Sequence, residues 1–365
     1  MSRIRALAKE SLVYGVSTIA SRFLNFLLVP FYTHVLTPAD FGIQNIVFAL
    51  IALLNIIYQF GFDAAYLRLA NDSDTEGRKQ LFSTAFWSQT LGATVFSLAL
   101  IAVSQPLGRL FLIPVAYGNL FLLAAGILIL DTLKVVPMAH LRLEHSALRF
   151  AMINVGNVAV NIAANLLFVL YWGKGLEGVF WANLVASAVT LLLVSPTLIA
   201  NVKAKFQAPL FGHLLRFGLP LVPAGLYGIV NEMAGRIFMR MLSQDQIDRL
   251  YPGKGYDVLA LAGIFSAAWK LGVFGMLLVQ MYRMAWQPFF QQRYKDPDAP
   301  ELFGRILRYL CHFVGYVSVT LAVFLDKLVA FPVFGRPLIE PSYWPGLEIV
   351  PGVLLAYAFQ AWIVH

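Results

Sequence analysis

The chain has 365 residues, 59% of them hydrophobic and 13% charged, about half the charge of an ordinary globular domain. No water-soluble core could hide that much apolar surface, and the single cysteine, Cys311, excludes an internal disulfide framework or a multi-cysteine metal site. The net charge of +8 would fit a nucleic-acid partner only if the basic residues formed one patch, and their positions along the chain argue otherwise.

A membrane-spanning helix needs about 20 mostly apolar residues. In chain order such stretches occupy residues 11–35, 41–62, 81–104, 119–136, 150–171, 179–200, 214–242, 258–281, 306–325 and 347–365. Strands of a membrane barrel would be about ten residues long and alternate in polarity; these stretches are longer and apolar all round. They predict an all-α polytopic membrane protein with about ten transmembrane helices. With the N-terminus in the cytoplasm, the inner segments carry sixteen Lys and Arg residues, Arg3, Arg68, Arg78, Arg142 and Lys203 among them. The outer loops carry six: Arg109, Lys174, Arg249, Lys254, Lys327 and Arg336. That bias is an orientation signal, so the positive charge marks topology and no nucleic-acid partner is expected.

The first stretch is too long for a signal peptide and contains Arg22, which predicts an uncleaved first span. Loops such as 70–80 and 291–302 are too short to hold a catalytic domain. The inner segment 201–212 is the expected boundary between an N-terminal six-helix lobe, residues 1–205, and a C-terminal lobe of about four helices, residues 206–365. Tyr14 with Gly15 and Phe217 with Gly218 open spans one and seven alike, as an internal repeat would. The last apolar stretch runs to His365 with no polar tail, so a C-terminally truncated bundle is expected.

An ionisable group at membrane depth costs a few kcal/mol and faces protein or a watery cavity. Arg22 lies mid-span with Ser17, Thr18, Ser21 and Asn25 nearby; it either snorkels or lines a cavity where its fork could grip phosphate oxygens. Asp131 and Lys134 share one helical face, as do Glu232 and Arg236, with Asn231 beside them. Each pair is a structural neutralisation or an ion-coupling site. Asn154, Asn157, Asn161 and Asn165 form one polar stripe, open to interhelical bonding or to contact with sugar or water. Lys270 has no acid one turn away, so its partner comes from another helix, from substrate or from water. The six histidines form no HExxH and no Walker-type loop is present. No catalytic residue, metal site or cofactor is expected. Trp172 and Trp344 fall at outer edges of spans as interfacial anchors.

Several stretches resemble a known family. They are the opening from Tyr14 through Arg22 and Asn25 to the Leu36-Thr-Pro-Ala-Asp-Phe-Gly42 turn, and Gly61-Phe-Asp-Ala-Ala-Tyr-Leu-Arg68. Next come Leu130-Asp-Thr-Leu-Lys134 with Pro137, Leu141 and Arg142, and the run from Arg149 to Asn154. The most specific are Ala267-Ala-Trp-Lys-Leu-Gly272 and the run from Gln280 through Arg283 and Trp286 to Phe290. In order, these resemble the Wzx-like oligosaccharide flippases of the multidrug/oligosaccharidyl-lipid/polysaccharide exporter superfamily. The resemblance implies a two-lobe, MATE-like bundle of about twelve to fourteen spans, more than this chain holds. It also implies alternating access to a cationic central cavity. The implied substrate is undecaprenyl-pyrophosphate-linked oligosaccharide, carried from the inner to the outer leaflet of a bacterial cytoplasmic membrane for O-antigen, lipopolysaccharide or other surface-polysaccharide assembly. Other polysaccharide assembly proteins are the implied partners. Arg22 and Lys270 are then the expected pyrophosphate contacts, with Asn25, Asn231 and the asparagine stripe facing sugar or water. The alternatives are a drug/cation antiporter of the same fold, a MurJ-like lipid II flippase, and a membrane-embedded glycan polymerase or acyltransferase.

Overall fold

The computed structural model describes residues 20, 23–24, 26–203, 206–239, 241–333 and 335–364. Arg22 and Asn25 fall outside the described residues, as do the side chains of Asn231, Glu232 and Arg236. In chain order the helices are α1 (Leu28–Val35), α2 (Pro38–Gln59), α3 (Phe62–Asn71), α4 (Thr75–Ala102), α5 (Ser104–Leu110) and α6 (Asn119–Leu133). They continue with α7 (Val135–Leu143), α8 (Ala147–Asn165), α9 (Gly175–Asn201), α10 (Ala208–Gly218), α11 (Leu221–Met239) and α12 (Gln244–Leu250). The last are α13 (Val258–Leu271), α14 (Val273–Arg293), α15 (Ala299–Val323), α16 (Leu325–Val329) and α17 (Val350–Val364). A two-stranded hairpin, β1 (Pro332–Val333) and β2 (Arg336–Pro337), and a 3-10 segment (Pro341–Ile349) precede α17.

Among the described residues, seven helical stretches are long and apolar enough to cross a membrane, or nine if each of two bent helix pairs is one span. The expected stretch 11–35 lies partly outside the described residues, and each of the other nine overlaps one of these. The fold is therefore an all-α, multi-pass membrane bundle. The spans are longer and more broken than hydropathy predicts. At the end of α2, Phe60 and Gly61 take left-handed backbone (φ 53 and 66) and the chain turns into α3. Lys134 interrupts the fourth span between α6 and α7, ahead of Pro137, which has no N–H to offer the turn before it. The α10–α11 pair bends by 43° around Leu219 and Pro220. Polar caps start three helices among the described residues: Thr37 Oγ1 accepts from Asp40 N at 3.2 Å for α2, Asp74 from Gly77 N at 2.9 Å for α4, and Asp257 from Ala260 N at 2.7 Å for α13.

The described residues form two compact units, one holding residues 43–243 and the other residues 26–42 with 244–365. The seam thus differs from the expected boundary at 205/206, and the cause lies in how the 201–218 segment is tied to unit one. Lys203 N donates to Ser83 Oγ at 2.7 Å, Gln207 Nε2 donates to Gln80 Oε1 at 2.9 Å, and Lys203 pairs with Glu76. Gly218, at the end of α10, meets Gly61 backbone to backbone; a Cβ on Gly61 would lie 2.5 Å from the Gly218 carbonyl oxygen. The unit-one core around this contact gathers Phe62, Ala65, Tyr66, Phe82, Val136 and Leu214. Tyr66 Oη lies 2.6 Å from His140 Nδ1, so the buried hydroxyl is satisfied.

Unit two is held by a second glycine contact, in which Gly42 lies against Leu259 and Gly263 of α13 with no side chain between them. The end of the hairpin and the segment after it fasten residues 26–42: His34 reaches Pro337 O (2.7 Å) and Glu340 Oε2 (3.0 Å), and Tyr343 Oη donates to Leu36 O at 2.9 Å. Phe41 packs edge-on against Tyr343. Trp344, expected to be an interfacial anchor, donates its indole N–H to Ile339 O at 2.9 Å.

Gly61 makes a demanding position because its φ is positive and its Cβ space is filled by backbone. The substitution Gly61→Ala is expected to lower unfolding stability by about 1–3 kcal/mol. Thermal unfolding of the purified protein in detergent checks this, with Gly228→Ala, at an open position on α11, as the silent comparison.

Candidate functional site

Unit one carries a seam of polar groups between α6, α8 and α9. Lys134 Nζ donates to Asp131 Oδ1 at 2.6 Å, and Ser187 Oγ of α9 donates to the same oxygen at 2.7 Å. One turn further along α9, Asn157 Nδ2 of α8 donates to Thr190 Oγ1 at 2.7 Å and to Ala186 O at 3.1 Å. Asn165 is fully buried and donates to Asn161 O at 2.9 Å and Asn161 Oδ1 at 3.0 Å. Three of the four stripe asparagines therefore hold helices or each other, one of the two roles that their spacing leaves open. Asn154 is half-buried.

The seam ends in a hollow of about 290 Å³, lined by Gln59, Asp63, Asp131, Lys134, Val135, Met138, Arg142 and Phe150. Its walls come from the end of α2, the start of α3, the α6–α7 break and the start of α8. The break brings Lys134 and Arg142 to one hollow, and the left-handed turn at Gly61 aims α3, with Asp63, toward the same place. Arg142 Nη2 lies 3.6 Å from Asp63 Oδ2, longer than a charge-assisted hydrogen bond. The Nε of Arg142 is buried without an acceptor among the described residues. Two acids and two bases thus face one small space. Asp131 and Lys134 are legible from sequence as an intramembrane pair. Arg142 reads there as a loop cation and Asp63 only as part of a motif, and nothing in their local sequence joins them.

In unit two, Lys270 is half-buried and its Nζ sits 4.7 Å from the centroid of the Phe41 ring, a cation–π contact. The sequence left its partner open, and one contact comes from the first turn of α2. Arg22 and Asn25 lie outside the described residues, and Asn231, Glu232 and Arg236 lie on α11 with side chains outside the description. Among the described residues, no group of three His, Cys, Asp or Glu side chains is placed to hold a metal ion.

The described residues thus form a multi-pass helical bundle with polar groups at membrane depth. Solved structures share it. An inward-facing multidrug resistance MATE family transporter of the MOP superfamily aligns at TM-score 0.64 and 15% identity, covering 97% of this chain and 84% of the other. A variant of the Vibrio cholerae MATE transporter VcmN aligns at 0.61 and 14%, covering 99% and 86%. A MATE protein in its straight conformation aligns at 0.58 and 16%, covering 98% and 82%. At these identities the likeness is one of fold. No curated protein sequence matches the chain. The model of a family of polysaccharide biosynthesis proteins matches residues 33–247, more than half of the chain, and the protein belongs to that family.

The seam makes a separable prediction. Asn157→Ala removes both bonds to α9 and is expected to lower stability by about 1 kcal/mol, the scale of a hydrogen bond between membrane helices. Asn154→Ala is expected to leave it unchanged. Thermal unfolding in detergent, run on both variants, distinguishes the two positions.

Proposed function

We propose that this protein carries an undecaprenyl-pyrophosphate-linked oligosaccharide from the inner to the outer leaflet of a bacterial cytoplasmic membrane, for assembly of O-antigen or another surface polysaccharide. The observation that supports this reading best is the family match over residues 33–247, set on a MATE-like fold that spans nearly the whole chain. The N-terminus lies in the cytoplasm, following the Lys and Arg bias between the two sets of loops. Transport needs no bond made or broken on this chain.

The physical problem is desolvation. Drawing a glycan and a pyrophosphate through hydrocarbon strips polar groups of water at several kcal/mol each. Protein donors and cations replace that water while the polyprenyl tail stays in lipid. Arg22 and Lys270 are the proposed pyrophosphate contacts, with Asn25 and Asn231 toward sugar or water. Lys270 suits the role because its charged ammonium is held half-buried over the Phe41 ring, a fixed position from which a cation can meet an anion.

Deleting the gene is expected to abolish surface polysaccharide and to accumulate lipid-linked repeat units on the inner leaflet. Normal surface glycan together with raised drug sensitivity would replace this reading by an antiporter of the same fold. In complementation, Lys270→Met keeps the apolar stem against Phe41 and loses the charge. Surface glycan is expected to fall about tenfold or more, the scale of one charge-assisted hydrogen bond. Arg22→Ala is expected to abolish complementation and Arg22→Lys to restore part of it. Full activity of the Met and Ala variants at equal membrane abundance would remove both residues from the site.

A further inference from the structure

We propose that the hollow in unit one holds the headgroup of a zwitterionic membrane phospholipid with a primary ammonium, phosphatidylethanolamine by chemistry. Its phosphate lies against Arg142 and Lys134, and its ammonium against Asp63 and Gln59.

The charges select the ligand class. Arg142 and Lys134 face the hollow together with Asp63 and Asp131, so a simple anion would meet two carboxylates and a simple cation two bases. A ligand carrying both signs a few bonds apart satisfies both. The existing pairs leave donors for it. Arg142 meets Asp63 only at 3.6 Å while its side chain lines the hollow, so its terminal guanidinium N–H groups have capacity for a phosphate oxygen. Lys134 has three N–H donors and gives one to Asp131. Asp131, held also by Ser187, forms the floor.

Size and place narrow the class further. A hollow of about 290 Å³ is at the low end for small-molecule pockets, roughly 300–1,000 Å³, enough for a headgroup and too little for an oligosaccharide. Val135, Met138 and Phe150 line it beside the charges, which suits an amphiphile. Gln59 is the last residue of α2 and Phe150 belongs to the first turn of α8, so the mouth lies where spans leave the hydrocarbon and headgroups sit. That end of the spans is the one that the Lys and Arg bias marks as cytoplasmic. A primary ammonium fits better than a quaternary one. Asp63 and Gln59 accept hydrogen bonds, and a single aromatic ring, Phe150, makes no cage for a choline.

The test uses the full chain in nanodiscs of equal anionic lipid content, with either phosphatidylethanolamine or phosphatidylcholine as the remainder. The protein is expected to unfold at a higher temperature in the former. Native mass spectra from mixed discs are expected to retain phosphatidylethanolamine over phosphatidylcholine by about tenfold, the scale of one charge-assisted hydrogen bond. Arg142→Gln and Asp63→Asn should each abolish that preference, while Glu76→Gln, at an ion pair with Lys203 elsewhere in unit one, should leave it intact. Equal retention of the two lipids by the parent protein overturns the proposal without reference to any variant, as does a preference that survives both substitutions. Displacement of the lipid by soluble phosphoethanolamine at millimolar concentration would assign the site to a free metabolite and overturn the lipid reading.

Discussion

A bilayer core offers no water to an exposed polar group, so each one a spanning helix carries must be answered from within the protein. Much of the polar interior of unit one follows that requirement. Asp131 is answered by Lys134 and Ser187, Asn157 by Thr190 and the Ala186 carbonyl, Asn165 by Asn161, and Tyr66 by His140. These contacts bind α3 to α7, α6 to α9 and α8 to α9. Between apolar helices in lipid no hydrophobic force distinguishes one packing from another. The polar contacts supply register.

The same requirement explains why breaks in the helices and polar residues occur together. Phe60 and Gly61, Lys134, and the Leu219–Pro220 bend each interrupt a span. Freed backbone groups are tolerated at membrane depth only where protein or a watery hollow receives them. The Lys134 break opens onto the hollow of unit one, and the Gly61 turn places Asp63 at its rim.

Hydropathy made the spans legible, because a run of apolar residues of membrane length has few other physical readings. It did not make the breaks legible, since Lys134 and Gly61 lie within or beside runs that stay apolar on average. The Asp131–Lys134 pair could be read directly, being three residues apart on one helix. The meeting of Asp63 with Arg142, and of Lys270 with Phe41, could not. Each joins residues far apart in the chain, and which helices become neighbours is set by contacts between small residues that leave little trace in composition. The boundary expected at 205/206 rested on loop composition, whereas side-chain bonds from Lys203 and Gln207 hold the residues on both sides of it within unit one, and only a fold can show them.

The meeting of Gly61 and Gly218 has a mechanical corollary. Two main chains touching without a side chain between them leave no compliant layer to absorb a displacement. Whatever tilts α3 drags α10 along like two spokes welded at the hub, and the strain of any rearrangement is deflected to a more yielding stretch of chain.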